Sequence, residues 1–210
     1  MGKIIGKRTD GPISRHINRK FSSKITSFIL RHDIPVTPNQ VSLISFLTAV
    51  VGALLYLWRL DPVAGILVQL ASIVDGVDGE LARARSMASP VGAFLDSLLD
   101  RIADAFVISM LTLTAFWIYG WQAFLVGIIA LFGSLMVSYI HAQGVTNLKV
   151  AVSEIGKVRT FASRDVRLFI VFLGSIFFRP LETLIVLAII THSYYIPKMI
   201  DVYLYYRKRD

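Results

Sequence analysis

The sequence predicts an all-α integral membrane protein, with six transmembrane helices preceded by an amphipathic juxtamembrane helix. Three observations predict it. Of 210 residues 55% are hydrophobic and only 17% charged, and the mean hydropathy is +0.63, which excludes an ordinary soluble enzyme. Apolar stretches of about 20 residues, the length that crosses roughly 30 Å of hydrocarbon, recur between Pro, Gly and charged breaks. The basic residues between those stretches alternate sides, as cytoplasmic loops that collect Lys and Arg require.

The first 36 residues are too polar to span a bilayer and carry no signal-peptide pattern. Ile13, Ile17, Phe21, Ile25, Phe28 and Ile29 recur at helical spacing, with Arg15, Arg19, Lys20 and Lys24 on the other faces. That pattern describes a helix lying on the cytoplasmic leaflet, so residues 1–36 form a cytoplasmic tail and 37–210 the membrane domain. The first span runs from about Asn39 to Trp58, the second from Pro62 to about Arg83 and the third from Pro90 to Tyr119. The fourth runs from Trp121 to about His141 and the sixth from Leu181 to about Tyr206. The fifth is the weakest: Leu168 to Phe178 is apolar, Arg179-Pro180 ends it, and it must borrow polar turns from Arg159 to Arg167.

One side collects Lys3, Lys7, Arg8 and the juxtamembrane cations, Arg83 and Arg85, Lys149 to Arg167, and Arg207 to Arg209. The other holds only Arg59 and Arg179. An even number of spans with both termini cytoplasmic follows, in a multi-pass cell-membrane protein. The formal charge of +8 suits an anionic membrane surface rather than nucleic acid. Zero Cys removes disulfides, thiolate nucleophiles and cysteine metal sites.

Ionisable residues inside spans are costly and mark function by default. Asp75 and Asp78 lie three apart near the end of the second span, and Asp96 and Asp100 four apart at the start of the third. On two antiparallel helices joined across Ser86 to Pro90, both pairs face the same place. Carboxylates converging there repel one another unless cations compensate, and oxygen-only donors match Mg²⁺, Mn²⁺ or Ca²⁺. Paired metals suit phosphate chemistry. Gly76, Gly79 and Gly92 leave room for a bulky ligand beside the carboxylates, and Arg83 is placed to meet a phosphate. The plain alternative, ion pairs with Arg83, Arg85 and Arg101, requires neither four facing carboxylates nor interleaved glycines. A cation channel or transporter using the same aspartates is the competing functional class, although no inverted repeat accompanies them. Asp104 extends the stripe as a structural partner of an arginine, Glu80 points off the aspartate face and is peripheral, and His141 and His192 are hydrogen-bonded interface residues.

Asp75-x2-Asp78-Gly79-x2-Ala82-Arg83-x8-Gly92-x3-Asp96-x3-Asp100 resembles, at all eight defined positions, the signature of the CDP-alcohol phosphotransferase family. The motif covers 26 residues, and the six-span plan is similar to the family's architecture. The resemblance implies transfer of a substituted phosphate from a CDP-linked donor to an alcohol acceptor, releasing CMP. It implies two divalent cations, Mg²⁺ or Mn²⁺, on Asp75, Asp78, Asp96 and Asp100, with Asp100 also the general base. Gly79, Ala82, Arg83 and Gly92 would line the cytidine diphosphate site, with Asn39 on the diphosphate side, where Thr37 to Ser42 resembles the family's entry into its first span.

A cluster of Lys157, Arg159, Arg164 and Arg167 on the same membrane side suits a phosphorylated acceptor, since guanidinium forks bind phosphate bidentately. A plain positive-inside loop accounts for the same charges. The SRDVRLF stretch resembles the inositol phosphate-binding segment of family members that use that acceptor. The start, DGPISRHINRK, resembles the junction in archaeal and thermophilic enzymes where a cytidylyltransferase precedes this domain, the branch that includes di-myo-inositol phosphate phosphate synthases. A cytidylyltransferase domain or partner, CDP-inositol or a CDP-lipid as donor, and a homodimer are therefore expected.

Overall fold

The computed structural model describes residues 11–207; Lys3, Lys7, Arg8, Lys208 and Arg209 lie outside the described residues. The described chain is all-helical. A π-helical turn, Ser14–Asn18, leads into α1 (Arg19–Arg31), followed by α2 (Pro38–Leu55), α3 (Asp61–Ala84), α4 (Pro90–Tyr119), α5 (Trp121–Gln143), α6 (Arg164–Ile176) and α7 (Pro180–Arg207).

Local signals set the helix ends that matter for the site. Thr37 and Gln40 form a reciprocal capping box at the start of α2: the Gln40 N–H donates to Thr37 Oγ1 (3.3 Å) and the Thr37 N–H to Gln40 Oε1 (2.8 Å). Pro38 follows at the first helical position, where its missing N–H costs nothing. Ser89 caps α4 through the Gly92 N–H (3.0 Å), again with a proline next. Between α3 and α4 the chain reverses within a few residues, Ser86 taking a positive φ of 55°. Arg85 stiffens this corner by donating to the carbonyls of Val36 (2.5 Å) and Ile34 (2.7 Å).

Small residues let the spans approach closely, the usual solution where no hydrophobic drive separates helix from lipid. Ala49, Ala53, Ala64, Ala71, Ala103 and Ala115 are buried in the shared core. A Cβ on Gly52 would lie 3.1 Å from the Ala64 carbonyl, so α2 and α3 touch backbone to backbone. Apolar side chains such as Leu47, Ile66, Ile128, Phe132 and Ile189 point outward, a surface suited to lipid.

Among the described residues five helices are long and apolar enough to cross a membrane: 38–58, 61–84, 90–119, 121–148 and 180–207. The sequence reading expects six. The difference is α6, whose 13 residues extend only about 20 Å. Its first turn is spent on Arg164, Asp165 and Arg167, the last two buried and the first half-buried, and the residues before it do not continue the helix.

α1 occupies most of the Ile13 to Ile29 stretch expected to be amphipathic, and it has a partner within the bundle. Phe21, Ile25 and Phe28 are exposed on one side. Asn18, Ser22 and Thr26 form a buried polar face against α3, and Ile29 packs with Val41, Val77 and Leu81. That polar face corrects the placement of Glu80 as peripheral. Glu80 does point off the aspartate face, yet it is 1% exposed and accepts from Arg19 (2.6 Å), Ser22 (2.8 Å) and Thr26 (2.7 Å), fastening α1 to α3. A buried carboxylate survives only when paired and hydrogen-bonded in this way.

Candidate active site

Three cavities meet at one end of the bundle, and the aspartates stand where they join. The central cavity, about 380 Å³, is lined by Asp75, Asp78, Asp96 and Asp100 with Arg19, Arg101 and Arg164 among its neighbours. Helix geometry does the gathering: the pairs sit on single faces of α3 and α4, and the short turn at Ser86 sets the faces against each other.

Carboxylate oxygens of Asp75, Asp78 and Asp96 all lie within 4.8 Å of one another. Three hard oxygen donors without His or Cys fit a magnesium- or manganese-type cation. Ser42 Oγ donates to Asp78, fixing its orientation from α2. Asp100 stands outside this triad. Arg164 holds it at 2.9 Å and Arg101 at 3.4 Å, and the same Arg164 reaches Asp75 (3.1 Å) and Asp104 (2.9 Å). Asp104 also pairs with Arg167 (3.2 Å), which further donates to Ser138 (3.0 Å) and the Ala162 carbonyl (2.8 Å). Asp104 is thus the structural partner of arginines that its position outside the motif suggested.

On one side of the aspartates lies a cavity of about 310 Å³ lined by Asn39, Gly79, Ala82, Arg83 and Gly92, together with Asp78 and Asp96. The five residues singled out for a nucleotide thus share a single cavity with two of the metal-triad carboxylates. A Cβ on Gly92 would come within 3.2 Å of Asn39 Oδ1, so glycine here keeps the cavity open beside Asn39. Gly76 differs from the expectation that it makes room for a ligand. Its absent side chain admits α1: a Cβ would lie 3.2 Å from Ser22, and Arg19 donates to the Gly76 carbonyl at 3.2 Å.

On the other side lies a cavity of about 680 Å³, lined by Arg15, Arg101, Arg159, Arg164 and Arg167 and by no carboxylate. Lys157 is absent from that lining; its backbone N–H donates to Asp201 (2.7 Å), and the nearby Arg159, itself exposed, lines the cavity instead. The sequence reading missed Ser42, Arg101 and Arg15 as lining residues, because each belongs to a segment read for another role: helix entry, ion pairing and membrane contact. His141 hydrogen-bonds the Tyr194 hydroxyl (2.8 Å) and His192 the Ala188 carbonyl (2.9 Å), both interface contacts as expected.

A helical bundle with a cation-fitting aspartate cluster between a glycine-lined and an arginine-lined cavity defines a multi-pass membrane protein with one polar site at one end. The chain belongs to the CDP-alcohol phosphatidyltransferase family, whose model matches residues 35–195. It is 47% identical over 173 residues to a bifunctional IPC transferase and DIPP synthase of Rubrobacter xylanophilus, a match that covers 81% of this chain and 38% of that protein. It is 32% identical over 146 residues to an archaetidylinositol phosphate synthase of Pyrococcus horikoshii, covering 68% of this chain and 70% of the relative. The chain spans less than half the length of the bifunctional relatives it matches. Its fold matches that of the Mycobacterium tuberculosis phosphatidylinositol phosphate synthase with CDP-DAG bound, at a TM-score of 0.70 and 24% identity, over 88% of this chain and 94% of that one.

Proposed function

We propose that this protein transfers a substituted phosphate from a CDP-linked donor to a phosphorylated polyol, with an inositol phosphate as acceptor, and releases CMP. One observation carries the reading: the three cavities are continuous. Asp78, Gly79 and Asp96 line both the central and the glycine-lined cavity, and Arg101 and Arg164 line both the central and the arginine-lined one. A donor diphosphate and an acceptor phosphate bound in the outer cavities would meet at the carboxylates.

In this reading Asn39, Gly79, Ala82, Arg83 and Gly92 hold the cytidine diphosphate, the glycines allowing backbone approach and Arg83 countering phosphate charge. Asp75, Asp78 and Asp96 hold one divalent cation, and Asp100 contributes to a second. When bound, such cations neutralise the diphosphate and the charge developing on the attacking and leaving oxygens. Asp100, oriented by Arg164 and Arg101, accepts the proton of the acceptor hydroxyl as its oxygen attacks the β-phosphorus. The new P–O bond forms as the bond to CMP breaks, and no covalent enzyme intermediate is involved. Arg159, Arg164 and Arg167 orient the acceptor's phosphate; Lys157 adds charge at the cavity's approach.

The same reading places the arginine-rich end of the bundle in the cytoplasm with both termini, since Arg83, Arg85, Lys149 and Arg159 lie at that end and Arg59 and Arg179 at the other. α6 completes a sixth crossing with help from the segment before it, and α1 rests on the leaflet through Phe21, Ile25 and Phe28. A homodimer, and a cytidylyltransferase domain or partner that supplies the donor, complete the expected assembly.

The test is CMP release by the purified protein with Mg²⁺ or Mn²⁺, inositol 1-phosphate, and either CDP-inositol or a CDP-linked lipid. Release that requires the cation, the acceptor and one donor supports the reading, and the active donor separates a soluble-solute synthase from a phospholipid synthase. Folded protein that releases no CMP with any alcohol acceptor, yet conducts divalent cations in sealed liposomes without nucleotide, would overturn it in favour of transport.

A further inference from the structure

The arginine-lined cavity, at about 680 Å³, is far larger than one phosphate group, and part of its wall is neutral. An arginine donates hydrogen bonds and accepts none, so guanidinium groups suit a phosphate, which accepts. A polyol differs, because each hydroxyl also has a proton to give away. No carboxylate lines this cavity, so the side chains that can take that proton are neutral.

His141 and Thr160 supply a matched pair of such groups. Both line the cavity, and both are tied to one buried hydroxyl: Tyr194 Oη lies 2.8 Å from His141 Nε2 and 3.0 Å from Thr160 Oγ1. The three form a chain whose two ends border the cavity and whose middle is sealed from it. The Tyr194 hydroxyl can give its proton in only one direction. Given to Nε2, it leaves the His141 proton on Nδ1, and Thr160 then donates to Tyr194 and keeps an oxygen lone pair for a ligand. Given to Thr160, it takes the Nε2 proton in return, which leaves Nδ1 as an acceptor and the Thr160 proton for a ligand. In either arrangement one end donates and the other accepts, which matches the two-sided hydrogen bonding of an alcohol.

Packing alone does not call for this chain. The Tyr194 ring is already fixed: it clusters with Val137 and Ala162, stacks on His141 with 5.8 Å between centroids, and meets Phe161 edge-on at 5.3 Å. One partner would satisfy its buried hydroxyl, and the second extends the chain to the cavity. Helix α5 also sets this neutral end beside the arginines. Ser138, which accepts from Arg167 at 3.0 Å, stands three residues before His141 on the same face.

We propose that His141 and Thr160 bind hydroxyl groups of the acceptor, with Tyr194 as the positioning residue that orients both, so that this end of the cavity selects a polyol phosphate over a plain phosphate monoester. This rests on the reading of that cavity as the acceptor site.

The test is direct titration of two ligands into the purified full chain in detergent: inositol 1-phosphate, and propyl phosphate, which carries the same charged group without hydroxyls. CMP titrated with Mn²⁺ is the control. The unaltered protein is expected to prefer inositol 1-phosphate about tenfold or more. His141→Phe, which keeps the ring stack on Tyr194, should weaken inositol 1-phosphate about tenfold and propyl phosphate less than about twofold. His141→Asn, whose amide takes the place of Nδ1, should recover part of the loss. Tyr194→Phe and Thr160→Val should each weaken inositol 1-phosphate about threefold, again without moving propyl phosphate. Combining Tyr194→Phe with His141→Phe should cost less than the product of the two, since one acts through the other. If the variants weaken both ligands alike, the chain is only a tie between helices and the proposal fails. Should His141→Phe fail to fold, Tyr194→Phe and Thr160→Val decide by the same comparison. Equal binding of the two ligands by the unaltered protein would overturn the polyol end and leave the anion cavity standing. If neither ligand binds while CMP does, the acceptor reading itself fails and this inference with it.

Discussion

The two cavities that flank the aspartates are built by opposite means. The glycine-lined cavity is shaped by backbone: three helix ends meeting at a tight corner, two side-chain caps, and Gly92, where a Cβ would crowd Asn39. Its one arginine, Arg83, is exposed and outside the core. The arginine-lined cavity is shaped by charge. Arg167 is buried and Arg164 half-buried, and Asp104, Asp100 and Asp75 hold them, so residues read as binding the acceptor also hold the bundle together. The difference teaches that binding and folding are separable on the donor side and entangled on the acceptor side.

The largest effect is expected at the seam between them. Asp96→Asn removes one of the three converging carboxylates, and CMP release should fall by about a thousandfold or more, with Mn²⁺ binding lost by electron paramagnetic resonance. Stability should hold or rise, because the substitution also relieves repulsion among the carboxylates. A variant that bound Mn²⁺ as before would remove the aspartate triad from the site and leave the two cavities without a common centre.

Asp104→Ala tests the entanglement. It leaves the buried Arg167 without its carboxylate and strips Arg164 of one of three, so about 3 kcal/mol of stability should be lost, seen as a lower denaturant midpoint or melting temperature in detergent. An unchanged transition would mean that charge pairing does not hold the acceptor side. Arg83→Ala is the donor-side counterpart. It should weaken CMP about tenfold by titration, yet shift stability by no more than about 0.5 kcal/mol, as exposed substitutions away from the core do. Equal stability losses in the two variants would erase the contrast.

The same contrast governs what the sequence made legible. The donor side could be read because all its residues but Asn39 lie within the 26 positions that resemble the family signature, and the short corner between α3 and α4 brings them together. Thr37-Pro38 and Ser89-Pro90 likewise announced their helices through local capping chemistry. The acceptor side needed contacts across the chain: nothing near Arg15 in sequence discloses that Asp165 holds the neighbouring Ser14, and nothing near Lys157 discloses that Asp201 takes its N–H and leaves Arg159 to the cavity. Glu80 shows the limit of a helical wheel, which gives the face a residue occupies but not the helix that packs there. For α6 the obstacle was energetic: hydropathy counts Arg164 and Arg167 as solvent-seeking, whereas the buried Asp104 draws both toward the bundle.

The smallest effect sharpens the comparison most, because it asks how finely charge sets the acceptor wall. The loop that carries Arg159 is fastened to α7 by a buried lysine and a carboxylate. Lys198 donates to the carbonyls of Ile155 (2.5 Å) and Val158 (2.8 Å), and one oxygen of Asp201 accepts from the Lys157 and Val158 N–H groups at 2.7 and 2.9 Å. Gly156 sits between with a positive φ of 67°, pressed so close to Asp201 that a Cβ would overlap the carboxylate. In Asp201→Asn a single amide oxygen can still accept both N–H groups, and the loss is confined to charge, including the 3.8 Å ion pair with Lys198. Inositol 1-phosphate binding should weaken by only about twofold to threefold, below 1 kcal/mol, because charge at this partly exposed site is screened. Asp201→Ala removes the oxygens themselves and should cost several times more in affinity for the same ligand, with CMP binding unmoved in both. Equal losses from the two variants would mean that charge, rather than the hydrogen-bonded shape of the loop, places Arg159.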